Sequence, residues 1–295
     1  MLNELTALGI AFEEAVPMSS KTSFKIGGPA ELMLFPATPI ELHSCIELCI
    51  EQDIKPFILG NGSNLLVKDS GLDGVVISTE KLLGITRVGD SSLIYCGAGV
   101  KLSDLCVFAQ KQGLSGLEFA YGIPGSAGGA AYMNAGAYGG EMKDIIAMIH
   151  YVDGVNLPRA LSSEKCEFGY RSSIFMRNGW AIAGIFIQLQ PGNPDEIKAK
   201  MDETTQKRKD KQPLEYPSAG SVFKRPEGHF AGGLIEQCGL KGKGVGGAQV
   251  SEKHAGFIVN AGGATASDVR ALIALVQTVV EAETGVFLEP EIRFV

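Results

Sequence analysis

The sequence predicts an α+β fold in two parts, and three observations predict it. The 295 residues, at roughly 150 per domain, correspond to about two domains. Short apolar strands cluster, and helices interrupt them without the regular βαβ alternation of a doubly wound sheet. The composition changes at Pro191-Gly192-Asn193-Pro194, where a charged, polar segment begins. The boundary is therefore set between residues 1–192 and 193–295. Hydrophobic residues make up 45% and charged residues 20%, the values of a globular chain that buries a core without disulfides or a structural metal. The 38 glycines point to many tight turns and close backbone approaches.

Taken in order, Thr38-Pro39-Ile40-Glu41 reads as a capping box with proline at the first helical position, opening a helix to about Gln52. A short strand, Pro56 to Leu59, runs into Gly60-Asn61-Gly62-Ser63-Asn64. Leu65–Val67, Gly74–Ser78 and Leu93–Cys96 follow as strands between turn residues. Lys101 to Gln112 is helical in pattern and stops at Gly113. Residues 122–140 hold seven glycines in nineteen positions, too many for one continuous helix, so part of this segment is ordered loop. Ile145–Val152 and Ala181–Leu189 are strands, and Asp195 to about Lys211 is a polar helix. Thr265-Ala266-Ser267-Asp268 caps a helix from about Ser267 to Glu283, which ends before Gly285. Val286 to Phe294 alternates as a final strand, with Leu288, Ile292 and Phe294 on one face and Glu289, Glu291 and Arg293 on the other.

Charge and cysteine use exclude several function classes. A net charge of -7 and a pI of about 5.3 argue against sequence-independent nucleic-acid binding, which needs a basic surface. No run approaches the roughly 18 apolar residues of a membrane span, and the acidic start broken by Gly9 is unlike a signal peptide. The expected location is cytoplasmic. The six cysteines and four histidines never fall at metal-ligand spacing, so no metal site is expected. Cys45 and Cys49 share a helix face as packing thiols.

Among nucleotide motifs, Gly242-Lys243-Gly244-Val245-Gly246-Gly247 matches G-x-G-x-x-G, but the fingerprint needs a strand before it and a helix after it. Leu234–Cys238 reads as helix and Gln249-Val250-Ser251 opens none, so the match is set aside. Glycine loops of other kinds also cradle phosphates, because successive backbone N–H groups form a concave donor array. Gly60-Asn61-Gly62-Ser63-Asn64 has this character, and Gly122 to Gly129 is long enough to lie along an extended dinucleotide. Three polar features carry chemistry or an ordinary surface role: Tyr170-Arg171-Ser172-Ser173, Ser218 to Arg225, and Glu291.

The motifs Thr22-Ser23-Phe24-Lys25-Ile26-Gly27-Gly28, Ile58 to Leu66, Gly122-Ile123-Pro124-Gly125-Ser126-Ala127-Gly128-Gly129 and Asn134-Ala135-Gly136-Ala137-Tyr138-Gly139 stand in this order. Tyr170 to Ser173, Ala219 to Phe223, His254 to Asn260 and Glu291-Ile292-Arg293 continue it. Together the sequence resembles the UDP-N-acetylenolpyruvoylglucosamine reductase (UDP-N-acetylmuramate dehydrogenase) family, in its shorter class without an inserted substrate loop. Lys21 departs from the asparagine common there, and the chain stops at Val295 where relatives usually continue with glycine.

The resemblance implies a two-lobed FAD-binding region of the vanillyl-alcohol-oxidase type over residues 1–192 and an α+β substrate domain over 193–295. It implies non-covalent FAD held by Gly60, Asn61, Gly62, Ser63, Asn64, Gly122, Ile123, Pro124, Gly125, Ser126, Gly128 and Gly129. NADPH is the implied hydride donor, and a UDP-sugar enol ether is the implied acceptor. Arg171, Ser221 and Glu291 match the catalytic positions. Tyr170, Lys224 and Arg225 are expected to contact substrate, with Lys224 and Arg225 equally readable as surface charges. Two other classes are weighed beside this one. A different flavin oxidoreductase on the same fold would not reduce the enol ether, and a sugar-nucleotide-binding protein would carry no flavin.

Overall fold

The computed structural model describes all of residues 1–295. The chain divides into two compact units. The first comprises Met1–Glu14, Leu32–Asn61 and Gly74–Gln206, and the second Ala15–Glu31, Gly62–Asp73 and Lys207–Val295. The chain thus crosses between units five times, where the change of composition at Pro191 predicted one crossing.

The first unit carries a five-stranded antiparallel sheet in the order Arg159–Ser162, Ile146–Val152, Ala181–Gln188, Leu93–Gly97, Ile85–Arg87. The helix Ala127–Tyr132 packs on its two strands Leu93–Gly97 and Ala181–Gln188. A four-stranded sheet runs Ala11–Pro17, Pro29–Phe35, Leu72–Ser78, Phe57–Leu59. Its last pair is parallel, with Leu59 opposite Ser78, so the strand delivers the chain directly into Gly60.

The helix predicted from Thr38 spans Pro39–Glu51. Thr38 Oγ1 accepts the Glu41 N–H at 3.1 Å, and the Glu41 carboxylate reaches back to the Ala37 N–H at 2.9 Å. One first-turn donor, the Glu41 N–H, is thereby satisfied. The returning carboxylate binds the residue before the cap and not the Thr38 N–H, so the predicted capping box is only half formed. Leu42, Cys45, Ile46 and Cys49 line its buried face. Burial pushes the Cys45 thiol up to about 12 and the Cys49 thiol to about 11, so both sit in the core as protonated apolar groups. Beyond the helix Leu102–Lys111, Gly113 takes the left-handed conformation at φ +65°, as its position predicted.

The second unit holds an antiparallel sheet in the order Ser218–Ser221, Phe257–Asn260, Ala248–Val250, Gly244–Val245. The helix Ala266–Thr284 covers it with Val269, Leu272, Ile273, Val276 and Val280. This is one helical stripe, and each fully buried side chain contributes about 1.5–3 kcal/mol. Thr265 and Asp268 form the capping box, and Gly285 ends the helix at φ +72°. A further carboxylate, Asp69, accepts the Ala266 and Ser267 N–H groups at 2.7 and 3.1 Å. The short segments 15–31 and 62–73 join this unit through such polar bonds. Ser23 Oγ donates to Ser218 O at 2.7 Å, and the Lys68 N–H to Val295 O at 2.8 Å. Local composition carries no mark of bonds this distant in sequence.

Two further sequence expectations meet the structure here. The G-x-G-x-x-G match follows the helix Ala231–Gln237 and precedes the strand Ala248–Val250, the reverse of a dinucleotide-binding context. The final strand is a correction. Only Arg293–Phe294 pairs, parallel with Leu65–Leu66, and Pro290 makes a single bridge to Phe223. The bonds of that bridge are made by its neighbours, the Glu291 N–H to Val222 O at 2.7 Å and the Lys224 N–H to Glu289 O at 2.8 Å. The N–H that Pro290 lacks therefore bars pairing only on its other side. Leu288 and Ile292 are buried as the alternation predicts, but Phe294 is exposed and lies against the Arg270 guanidinium, 4.9 Å from the ring centre.

Candidate functional site

The two glycine loops meet within the first unit. A Cβ on Gly60 would stand 3.1 Å from Ser126 Oγ and 3.7 Å from Gly129 Cα. Glycine at 60 therefore leaves open the space between the loops. Ser126 is buried and caps the helix Ala127–Tyr132, its Oγ accepting the Gly129 N–H at 3.3 Å. The stretch 122–126 is loop, as its glycine content required. Its backbone is pinned by Leu102 N–H to Gly125 O at 3.0 Å and Ala127 N–H to Val100 O at 2.8 Å. The Ala127, Gly128 and Gly129 N–H groups are taken up by Val100 O, Ala98 O and Ser126 Oγ. What suits a diphosphate here is therefore the loop backbone of 60–64 and 122–126, with a Cβ missing at Gly60 where it would obstruct.

The first loop continues into the second unit as Gly62, Ser63 and Asn64. Gly62 has φ +61°, and a Cβ there would collide with the Lys21 carbonyl oxygen and lie 3.0 Å from Thr22 Cα. Only glycine meets both demands. Gly62→Ala is expected to lose about 1–2 kcal/mol from the left-handed backbone alone, before the collision. Gly9→Ala, at φ +69° with nothing within 4 Å, supplies the backbone cost by itself. Thermal unfolding of the two variants checks this, and equal Tm shifts would remove the close approach from the account.

Asn64 Nδ2 donates to Glu291 O at 3.1 Å, and the Arg293 N–H to Asn64 O at 3.0 Å. The loop thus holds the chain on both sides of Ile292. Glu291 is in turn bonded to the Ser221 segment, its N–H donating to Val222 O at 2.7 Å. The Lys224 N–H donates to Glu289 O at 2.8 Å. Residues 222–224 and 289–292 therefore run side by side, which brings the Ser221 and Glu291 segments together. Ser221 lies at a β-bulge. Ser218 pairs with Val259 and Ser221 with Phe257, so one extra residue is accommodated, with Gly220 at φ +80°. Bulges re-aim a side chain out of strand alternation. Ser221 Oγ is part-buried and donates to Phe223 O across a long 3.4 Å.

Behind Ser221, the Gly256 carbonyl accepts the Val222 N–H at 2.9 Å. The Gly256 N–H donates to His254 Nδ1 at 3.1 Å. An Nδ1 that accepts leaves the proton of the neutral ring on Nε2. Burial, before any charge effect, holds this imidazole below the usual histidine range. His254 is a packed, neutral support in a motif that sequence reading quoted without assigning it work.

Lys224 pairs with the Glu289 carboxylate, and the Arg225 guanidinium stacks on the exposed Phe230 ring at 4.1 Å. Each cation has a partner within its own unit. Arg171 belongs to the first unit, whereas Ser221 and Glu291 belong to the second. Gly169 and Ser172 exchange backbone hydrogen bonds at 3.0 and 3.3 Å, closing a turn with Tyr170 and Arg171 at its corners. Arg171 has φ +53°, in the corner position that a type II turn normally gives to glycine. Arginine there costs about 1–3 kcal/mol, a strain that collects at functional sites. Its guanidinium lies 5.1 Å from the Tyr170 ring centre and donates to Gly136 O at 3.0 Å and Asn134 O at 3.4 Å.

Two family models match the chain. One, described as an FAD binding domain, covers residues 30–158. The other, described as UDP-N-acetylenolpyruvoylglucosamine reductase, C-terminal domain, covers 212–295. The reductase of that name from Clostridium perfringens strain SM101 is 48% identical over 95% of this chain and 91% of its own. That from Clostridioides difficile strain 630 is 47% identical over 99% and 95%. The crystal structure of the Thermus caldophilus enzyme superimposes with a TM-score of 0.81 at 35% identity, covering 97% of this chain and 98% of that one. An alkyldihydroxyacetonephosphate synthase, at TM-score 0.50 and 14% identity over 64% of this chain and 43% of that one, shares the fold alone.

Proposed function

We infer the reaction from one premise: this chain belongs to the UDP-N-acetylenolpyruvoylglucosamine reductase family. It is an FAD-dependent oxidoreductase that uses NADPH to reduce the enolpyruvyl ether of UDP-N-acetylglucosamine to UDP-N-acetylmuramate, a precursor of peptidoglycan. The FAD-binding work belongs to the region before residue 192 and the substrate-binding work to the region after it. The FAD family match at 30–158 supports the first assignment and the reductase match at 212–295 the second. No helix is long and apolar enough to cross a membrane. The reading includes a cytoplasmic location, supported by six free cysteines in keeping with a reducing compartment.

The residues suited to FAD are Gly60 to Asn64 and Gly122 to Gly129, with the open space at Gly60 as the fitting feature. Bound FAD supplies a hydride taken from NADPH. The roles of the chain's own residues follow from the charge this creates. Hydride addition to the methylene carbon of an enol ether leaves negative charge beside the substrate carboxylate. A guanidinium held in place binds that carboxylate and stabilises the charge as it develops, and this is the role of Arg171. Ser221 donates its hydroxyl proton to the carbon next to the carboxylate. Glu291 assists the same step by holding a proton between its carboxyl group and the substrate. Lys224 and Arg225 contact the diphosphate, and Tyr170 contacts the sugar nucleotide. The observation that carries these assignments is the pairing of residues 222–224 with 289–292, which sets a bulged serine beside a carboxyl-bearing segment.

Purified protein is expected to be yellow, to bleach anaerobically with NADPH, and to regain its colour when the enolpyruvyl substrate is added. Denaturation releases all the flavin into the soluble fraction. Bleaching without recovery would leave a flavin oxidoreductase of another kind, and colourless protein would sink the reading entirely.

Glu291→Gln keeps the volume and the backbone bonds to Val222 and Asn64 but removes the exchangeable proton. Substrate-driven flavin reoxidation is expected to slow by about 10²-fold or more, with flavin reduction by NADPH within a factor of two. Equal slowing of both half-reactions would assign Glu291 to the support of the chain end.

A further inference from the structure

Asn134 is fully buried, and both ends of its amide are engaged. Its Oδ1 accepts the Lys143 N–H at 2.9 Å. Its Nδ2 donates to Glu141 Oε2 and to Gly169 O, each at 2.9 Å. Its own carbonyl oxygen accepts from Arg171 Nη1 at 3.4 Å, and the Gly136 carbonyl two residues on accepts from Arg171 Nη2 at 3.0 Å. The backbone at Asn134 is left-handed, φ +43°, a conformation asparagine adopts more readily than most residues.

One side chain therefore joins two segments distant in sequence. On one side is the hairpin of Gly136–Ala137 and Gly140–Glu141, and on the other the turn that begins at Gly169 and carries Arg171. Carbonyl oxygens orient a guanidinium without neutralising it, whereas a carboxylate in the same place would also quench its charge. The nearby Glu141 carboxylate is bonded by Lys143 at 2.9 Å and by Asn134. The Lys143 bond first, and the Arg171 charge after it, hold its carboxyl below the usual range, so Glu141 offsets part of the Arg171 charge without bonding the guanidinium. We infer that Asn134 is a positioning residue that presets the Arg171 guanidinium, fixing both the turn from which Arg171 projects and the carbonyls that aim it. This rests on the reading of Arg171 as the group that binds the substrate carboxylate.

A double-mutant cycle in the FAD-loaded protein tests it. Asn134→Gly keeps the left-handed backbone and removes only the amide. Asn134→Asp keeps the Oδ1 acceptor but turns an oxygen toward Glu141 and Gly169. Each is expected to slow substrate-driven reoxidation by about 30-fold, the scale of a modest misplacement in an active site. In an Arg171→Ala background the same changes should cost less than about threefold, because a positioning residue has nothing left to position. Amide hydrogen exchange at Gly169 and Ser172 should rise in both Asn134 variants, a readout independent of turnover.

Equal cost in both backgrounds would overturn the proposal while leaving Arg171 its role. Wild-type reoxidation in Arg171→Ala alone would overturn the role of Arg171 and the proposal with it. Should both Asn134 variants fail to fold, Glu141→Gln weakens one Nδ2 bond at a part-exposed carboxylate. Because the Glu141 charge also acts on Arg171, amide exchange at Gly169 and Ser172 is then the deciding readout: a rise supports positioning, and unchanged exchange overturns it.

Discussion

Ser221→Ala is expected to slow reoxidation of the flavin by substrate by about 10² to 10⁴-fold, the range for loss of a positioned proton donor. The change removes one hydroxyl and almost no volume. That oxygen makes one long bond, 3.4 Å to Phe223 O, so stability should move by no more than about 1 kcal/mol. The loss should fall on one half-reaction. Flavin reduction by NADPH needs no proton from Ser221 and should keep its normal rate. Substrate affinity should change little, and Ser221→Cys should recover part of the activity because a thiol also donates a proton. Stopped-flow measurement of both half-reactions decides the matter. An alanine variant that reoxidises like wild type would place the acid elsewhere, for example on an ordered water.

Arg171→Lys is the second large effect. The substitution keeps the charge and discards the planar, two-pronged donor. Arg171 Nη1 and Nη2 reach two different carbonyls, at Asn134 and Gly136, and one ammonium cannot reproduce that span with the same aim. Losing an aligned charged donor from a developing-charge site costs about 2.7–4 kcal/mol, or roughly 10² to 10³-fold in turnover. FAD content and flavin reduction by NADPH should be unchanged. Near-normal turnover in the lysine variant would return Arg171 to a structural role in its turn, where two carbonyl bonds already give it one.

The positions of the helices were legible because their ends are written in local chemistry. Thr38 with Glu41, and Thr265 with Asp268, cap their helices through hydrogen bonds spanning three residues. Such bonds form wherever those residues occur at that spacing. The loop at 122–126 was legible for a related reason, since seven glycines between 122 and 140 exclude one continuous helix. The final strand misled because alternation is a statement about burial, and burial does not guarantee a ladder. Leu288 and Ile292 are buried on a segment that makes one bridge to Phe223 and two paired residues with Leu65–Leu66 instead of one continuous ladder.

The candidate site divides in the same way. Sequence by itself determined which residues are chemically equipped: a guanidinium, a hydroxyl and a carboxyl group in motifs that resemble one family, and two glycine-bearing loops that read either as phosphate cradles or as ordinary turns. It also determined that Gly242 to Gly247 is no dinucleotide fingerprint. Tertiary structure alone decided that Gly60 opens the space beside Ser126 and Gly129, and that Glu291 is bonded to the Ser221 segment. It alone showed that Lys224 is already paired with Glu289. It also decided that residues 15–31 and 62–73 belong with the C-terminal part of the chain, and that Asn134 links a hairpin to the Arg171 turn. The physical reason is range. Caps, turns and periodicity act over a few residues and leave their pattern in the local order of side chains. Bonds such as Asn64 to Glu291, 227 residues apart, exist only once the backbone has closed, and either partner alone reads as an ordinary polar residue in a loop.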